Sequence, residues 1–200
     1  MGYYTRVLSR RADFPTLAEL QAVLAASRPD VELEGEDDGP EWTDLVLSHR
    51  DEPEIAAIER NPVTEESLGA SEIAEMLEEI RSGQPASAAR WLASYLPEVK
   101  TVYSFQHLSG TRTRNGDEAL WLASNALWGR GQAILQADGE GFSNEAGHHI
   151  LWQFSDGVSG PWSMAVLDGD RWLPFEMDLG NRAHRAEFLA GRVPPGARRI

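Results

Sequence analysis

The chain has 200 residues, a formal net charge of −14 and no cysteine, and 42% of its residues are hydrophobic. This length and apolar content suit one large globular domain or two small halves. The lack of cysteine excludes disulfides, thiolate nucleophiles and cysteine-ligated metals. No apolar run approaches the roughly 18 residues of a membrane span, and the first residues lack the apolar core of a secretory signal, so a cytoplasmic protein is expected.

The first sixty residues predict a strand, a helix and then two or three strands. Residues 3–9 are rich in β-prone types, and residues 13–27 place leucines on one helical face, with Pro15 in the first turn. Alternating or largely apolar stretches predict three further strands, over residues 31–34, 42–48 and 55–60.

Two helices are predicted next, over residues 71–81 and 86–96. The first has apolar residues on one side, and Gly83 stands where a C-terminal cap belongs. Its other side carries a stripe of three acids, Glu72, Glu75 and Glu79. We interpret this pair as a bridge between two halves of the chain.

The second half predicts a similar order of elements. A strand is predicted over residues 101–108, and a helix follows it. Asn115 and Glu118 are expected to form a capping box at the start of this helix, and Gly129 is expected to end it. Strands over 132–138 and 148–154 are expected to pair with each other across the loop between them. The remaining predictions are a hairpin, a helix and a frayed tail, over residues 162–177, 181–190 and 193–200.

These elements predict an α+β fold with a mainly antiparallel sheet. The β-α-β-β order occurs twice, which suggests a duplication of secondary-structure order. We expect a single α+β domain over residues 1–200, with halves 1–64 and 98–200 joined by helices within 65–97.

Five of the seven tryptophans lie in the second half and are expected to fill the core. Trp121 and Trp128 are seven residues apart, on one face of a predicted helix. Trp42 and Trp162 border loops, which makes them the better candidates for exposed partner anchors.

The densest polar cluster follows the strand over 132–138 and suggests an alternative function, a metal-assisted or carboxylate-based hydrolase. Its candidate residues are Asp138, Glu140, Asn144, Glu145 and His148. The spacing does not fit an EF-hand, and His148 and His149 point to opposite faces of a strand. No known catalytic motif is present, so no catalytic residue and no cofactor are assigned. A structural subunit of an assembly is the second alternative.

The negative charge is concentrated in residues 30–79, which hold 18 of the 32 acidic residues and only two bases, Arg50 and Arg60. Such a field repels nucleic acid and anionic membranes and attracts a basic protein partner. The predicted partner-binding residues are those around the expected strand ends, Glu36, Asp37, Asp38, Glu41, Trp42, Asp44, Asp51 and Glu52.

The opening MGYYTRVLSRRADFPTLAELQAVL, the segment ELEGEDDGPEWTD and the tryptophan-rich second half resemble, in general character, the immunity proteins of bacterial polymorphic toxin systems. The resemblance implies a small cytoplasmic α+β protein that occludes a toxin, often a basic nuclease. It contains no diagnostic motif, so it assigns no functional residue.

Overall fold

The computed structural model of the chain describes residues 2–35, 41–50 and 52–200, and for Glu52 and Pro53 it describes the backbone alone. The protein has an α+β fold with mostly antiparallel strands, as predicted. In chain order its helices and strands are β1 (Tyr4–Ser9), α1 (Leu17–Ser27), β2 (Val31–Gly35), β3 (Asp44–His49), β4 (Glu52–Pro62), α2 (Leu68–Glu79), α3 (Ala86–Tyr95), β5 (Thr101–His107), α4 (Arg114–Trp128), β6 (Ala133–Ala137), β7 (Gly141–Ser143), β8 (His149–Trp152), β9 (Pro161–Asp168), β10 (Arg171–Asp178), α5 (Arg182–Leu189) and β11 (Arg198–Arg199).

The chain divides into two compact units. The first comprises Met1–Ala70 and Val99–Ala133, and the second comprises Ser71–Glu98 and Ile134–Ile200. This division differs from the predicted halves, because β5 pairs between β1 and β4 and brings α4 with it into the first unit. The second β-α-β-β order in the sequence is therefore shared between the two units.

The first unit is an antiparallel sheet in the order β1-β5-β4-β3-β2, with α1 and α4 packed together on one face. Strand alternation creates that buried face. In β3, for example, Leu45 and Leu47 are buried, whereas Asp44, Val46 and Ser48 lie on the opposite face and are more accessible. No helix among the described residues of this unit packs on the other face of β2, β3 and β4.

Two helices of the first unit begin at residues other than those predicted. Thr16 caps α1 through a capping box: its hydroxyl accepts the Glu19 N–H at 3.2 Å, and the Glu19 carboxylate accepts the Thr16 N–H at 2.8 Å. Thr113, and not Asn115, caps α4, because its hydroxyl accepts the Gly116 N–H at 3.0 Å. The predicted ends of both helices, Ser27 and Gly129, agree with the structure.

The second unit contains strands in the order β6-β7-β8-β9-β10-β11, with α2, α3 and α5. Strands β8 and β9 are parallel, and the other strand pairs described within this unit are antiparallel. Phe188 of α5 packs into a core with side chains from β9 and β10, among them Met164, Val166, Phe175 and Met177.

Two predictions for this unit are wrong. Residues 132–138 do not pair with 148–154, because β7 lies between the two strands and pairs with both. Gly141 makes the insertion possible: its φ is +123°, and a Cβ there would lie 2.0 Å from the Leu151 carbonyl oxygen. The predicted frayed tail contains β11, which pairs with β10.

The tryptophans are not placed as the sequence suggested. Trp42 is only 1% exposed, its Nε1 donates to the Pro15 carbonyl at 2.8 Å, and its ring lies 6.0 Å from that of Tyr103. Trp121 is 61% exposed, because the buried stripe of α4 passes through Leu120 and Ala123 instead. The interpretation of Trp42 as a partner anchor is therefore wrong, and so is that of Trp121 as a core residue.

This difference in burial predicts opposite outcomes for two matched substitutions. Trp42→Ala removes a buried ring and is expected to lower the free energy of unfolding by about 3 to 5 kcal/mol. Trp121→Ala removes an exposed ring and should change it by less than about 0.5 kcal/mol. Urea denaturation of both variants measures the two values, and similar losses would contradict the assigned burial.

Candidate functional site

Three acidic side chains of the first unit line a cleft on the sheet formed by β2, β3 and β4. Its volume is about 560 Å³. The described lining residues come from all three strands and include three carboxylates but no base: Glu34, Gly35, Asp44, Leu45, Val46, Ala57, Ile58 and Glu59. We refer to this feature as the acidic cleft.

Strand register places the carboxylates on one face. Asp44 pairs directly with Glu59, and Val46 pairs with both Glu34 and Ala57. Since residues opposite each other share a face, these side chains surround a small floor of Val46 and Ala57. Like charges directly opposite each other in an antiparallel pair are destabilising. The free protein therefore keeps a repulsive arrangement that a bound cation would relieve.

Arg60, next to Glu59 in β4, does not neutralise the acidic cleft. Strand alternation turns its side chain to the opposite face, where it is buried. Its Nε donates to the Trp42 carbonyl at 2.6 Å, and its guanidinium lies 3.7 Å from the centre of the Phe14 ring. The side chain of Arg60, one of the two bases in the acidic segment, is therefore buried in the core.

The outer edge of β2 is closed by a side chain of α1. The Gln21 amide oxygen accepts the Leu33 N–H at 2.8 Å, and its amide nitrogen donates to the Val31 carbonyl at 3.0 Å. These bonds occupy backbone groups that an added strand would need. Addition of a further strand at this part of the edge is therefore blocked.

Of the predicted partner-binding residues, Asp44 lines the acidic cleft, Glu41 is exposed and Trp42 is buried in the core. The others lie outside the described residues or, for Glu52, are described by backbone alone: Glu36, Asp37, Asp38, Asp51 and Glu52. The prediction omitted Glu34 and Glu59. Their alternation with buried Leu33 and Ile58 is the signal that could have placed them on the accessible face.

Other acids of the segment are paired or belong elsewhere. Asp30 binds the Arg28 guanidinium through two hydrogen bonds of 3.0 and 3.1 Å and contacts His49 Nε2 at 2.5 Å. The hydrogen bonds from Arg28 and, to a smaller extent, the one from His49 hold the pKa of the Asp30 carboxyl well below its ordinary value. The acidic stripe of α2 lies in the second unit and does not contribute to the acidic cleft.

The alternative hydrolase site is not assembled as a metal site. Within residues 2–35, 41–50 and 52–200, no three His, Asp or Glu side chains are placed to hold a metal ion. Asn144 is buried, and its Oδ1 accepts the N–H groups of Ala146 and His148, both at 3.0 Å. Its acceptor oxygen therefore shapes the β7–β8 connection.

His148 has a partner that the sequence did not indicate. Its Nδ1 lies 2.8 Å from Ser163 Oγ, and burial lowers the pKa of its imidazole. A serine–histidine contact resembles part of a nucleophilic site, but catalysis also needs oxyanion donors and room for a substrate. Neither residue lines the acidic cleft.

His149 is a buried histidine of the second unit. Its side chain is 2% exposed, its ring lies 4.7 Å from that of Phe154, and its Nε2 has no hydrogen-bond partner among the described residues. Burial lowers the pKa of His149 to about 4, an effect that backbone groups of Leu151 and Glu140 only partly oppose. The imidazole is therefore neutral at pH 7 and belongs to the core.

Comparisons of the chain with protein-family models, with curated proteins and with solved structures find no match. None of the helices within the described residues is both long and apolar enough to cross a bilayer.

The acidic cleft predicts a gain in stability when one charge is removed. Asp44→Asn relieves the repulsion from Glu59 and Glu34 and should raise the free energy of unfolding by about 0.2 to 1 kcal/mol. Urea denaturation at low salt measures the change. Asp170→Asn, at an exposed turn of the second unit, is the control for loss of one negative charge. An equal gain in the control would show that the effect comes from net charge alone.

The buried imidazole predicts loss of stability in acid. The pKa of His149 is near 6.5 in the unfolded chain and about 4 in the folded protein. Between these two pH values the unfolded chain binds a proton that the folded protein does not, so protonation favours unfolding. From pH 7 to pH 5 this linkage should lower the free energy of unfolding by about 2 kcal/mol. His149→Gln should flatten the decline, with His184→Gln as the histidine control. An unchanged decline in His149→Gln would contradict the assignment.

Proposed function

We propose that the chain is an acidic protein-binding module and that its acidic cleft receives cationic side chains of a basic protein partner. The observation that carries the proposal is the cross-strand pair of Asp44 and Glu59, with Glu34 beside it and no base among the lining residues that the structure describes. A lysine or arginine placed there gains Coulombic energy and relieves repulsion at the same time.

The lining suits the shape of a long basic side chain as well as its charge. The aliphatic stem of an arginine can lie on the floor formed by Val46 and Ala57, with its guanidinium among the carboxylates. The negative field around such a site accelerates association with a basic surface and disfavours polyanionic ligands.

The finer proposal is an immunity-type inhibitor that acts in the cytoplasm on a basic toxin or nuclease. A nuclease that binds nucleic acid presents lysines and arginines to phosphates. An inhibitor that offers carboxylates to the same residues competes with the nucleic acid. The charge of the acidic cleft and the general resemblance of the chain to immunity proteins support this proposal.

An oligoarginine peptide is the simplest probe of the acidic cleft. In titrations followed by NMR of the ¹⁵N-labelled chain, we expect shifts at backbone amides lining the cleft, such as those of Gly35, Val46 and Ala57. The triple variant Glu34→Gln, Asp44→Asn, Glu59→Gln should bind roughly tenfold more weakly, because three ion pairs of up to about 1 kcal/mol each are lost.

A charge-matched control separates the cleft from the overall charge of the protein. The variant Glu75→Gln, Glu79→Gln, Asp170→Asn removes the same charge at exposed positions of the second unit and should bind the peptide like the wild type. Equal weakening in both triple variants would overturn the acidic cleft as the site. The inhibitor proposal has its own test, which is growth rescue of cells that co-express the chain with a toxic protein from an adjacent gene. In this assay the triple variant of the acidic cleft should protect the cells less well than the charge-matched control.

A further inference from the structure

A second cleft, separate from the acidic one, lies in the second unit between α3 and the turn that joins β9 to β10. Its volume is about 430 Å³. Five residues line it, three from α3 and two from the end of β9 and its turn: Ser87, Arg90, Trp91, Leu167 and Gly169. Ser87, Arg90 and Trp91 are three and four residues apart, so α3 presents them on one side.

The aromatic wall of this cleft is fixed by its neighbours. The Trp91 ring stacks on that of Tyr95 at a centroid distance of 5.0 Å and an interplanar angle of 27°. It also meets the Trp172 ring of β10 at 5.3 Å in an edge-to-face contact. These contacts restrain an indole that is only half-buried and still lines the cleft. A ligand ring would therefore meet a largely preorganised surface.

The cation of the cleft is available to a ligand. Arg90 is exposed and forms no ion pair or side-chain hydrogen bond with another described residue. Arg81 of the same unit, by contrast, lies 2.7 Å from Glu78 in an ion pair. A free guanidinium beside an indole and the Ser87 hydroxyl combines charge, hydrogen-bond donors and an aromatic face.

We propose that this cleft binds a small planar aromatic molecule carrying a single carboxylate. The ring stacks against the wall formed by Trp91, and the carboxylate accepts hydrogen bonds from the Arg90 guanidinium and the Ser87 hydroxyl. Arginine forks match the two oxygens of a carboxylate, which favours this group as the anion.

The size and charge of the cleft favour a small ligand with a single negative charge. The volume falls at the lower end of the roughly 300 to 1,000 Å³ that small-molecule sites occupy. One cation balances one negative charge, and a chain of net charge −14 repels polyanions. The site is independent of the proposed protein-binding function, because none of its residues lines the acidic cleft.

The test compares indole-3-acetate with indole-3-acetamide, which share a ring and differ in charge. NMR titration of the ¹⁵N-labelled chain should show the acid shifting the Trp91 indole N–H and the Ser87 and Gly169 amides. We expect the acid to bind about fivefold more tightly than the amide. Arg90→Gln should abolish this preference, whereas Arg182→Gln, an exposed arginine of the same unit outside the cleft, should retain it.

Three results would overturn the proposal. The first is equal affinity of the wild type for the acid and the amide. The second is the same loss of preference in Arg182→Gln as in Arg90→Gln, which would make the effect one of overall charge. The third is the absence of shifts at Trp91 when either ligand is present at millimolar concentration. None of these results depends on whether the acidic cleft binds a basic partner.

Discussion

The two-residue period of the β-strands is the constraint on which the candidate function depends. In β4 it separates Glu59, which lines the acidic cleft, from Arg60, whose guanidinium is buried against Phe14 and bonded to the Trp42 carbonyl. A shift of one residue in register would exchange the two side chains and place a cation in the cleft. The same alternation buries Leu45 and Leu47 under the helices and leaves Asp44 accessible.

The two units illustrate different uses of polar residues. In the first unit, Arg28 neutralises Asp30, while the acidic cleft keeps three carboxylates together without a base among its described lining residues. An arrangement that costs stability in the free protein has a physical rationale when a cationic partner removes the cost. In the second unit, His149 is neutral and buried in the core. The guanidinium of Arg90 lines a cleft together with the Trp91 ring. The two clefts therefore present opposite charges to their proposed ligands.

Local sequence patterns predicted most of the secondary structure. The apolar periodicity of α2 and α3, the alternation in β2 and the turn at Asp168 to Asp170 each act within a few residues, and the structure confirms those elements. Errors arose where two local signals competed. Thr113 and Asn115 are both of residue types that cap helices well, and in the structure Thr113 is the cap. The short strand β7 has only three residues, too few for alternation to reveal.

The sequence by itself determined that the protein is acidic, lacks cysteine chemistry and has an α+β order of elements, because composition and short-range periodicity need no tertiary contacts. Only the tertiary structure decided which charges act together. Asp44 and Glu59 are fifteen positions apart and become neighbours through strand register, and Trp91 meets Trp172 because helix α3 packs near β10. Burial likewise assigned Trp42 to the core and left Trp121 exposed. Such contacts depend on how distant elements pack, and residue spacing along one element does not encode them.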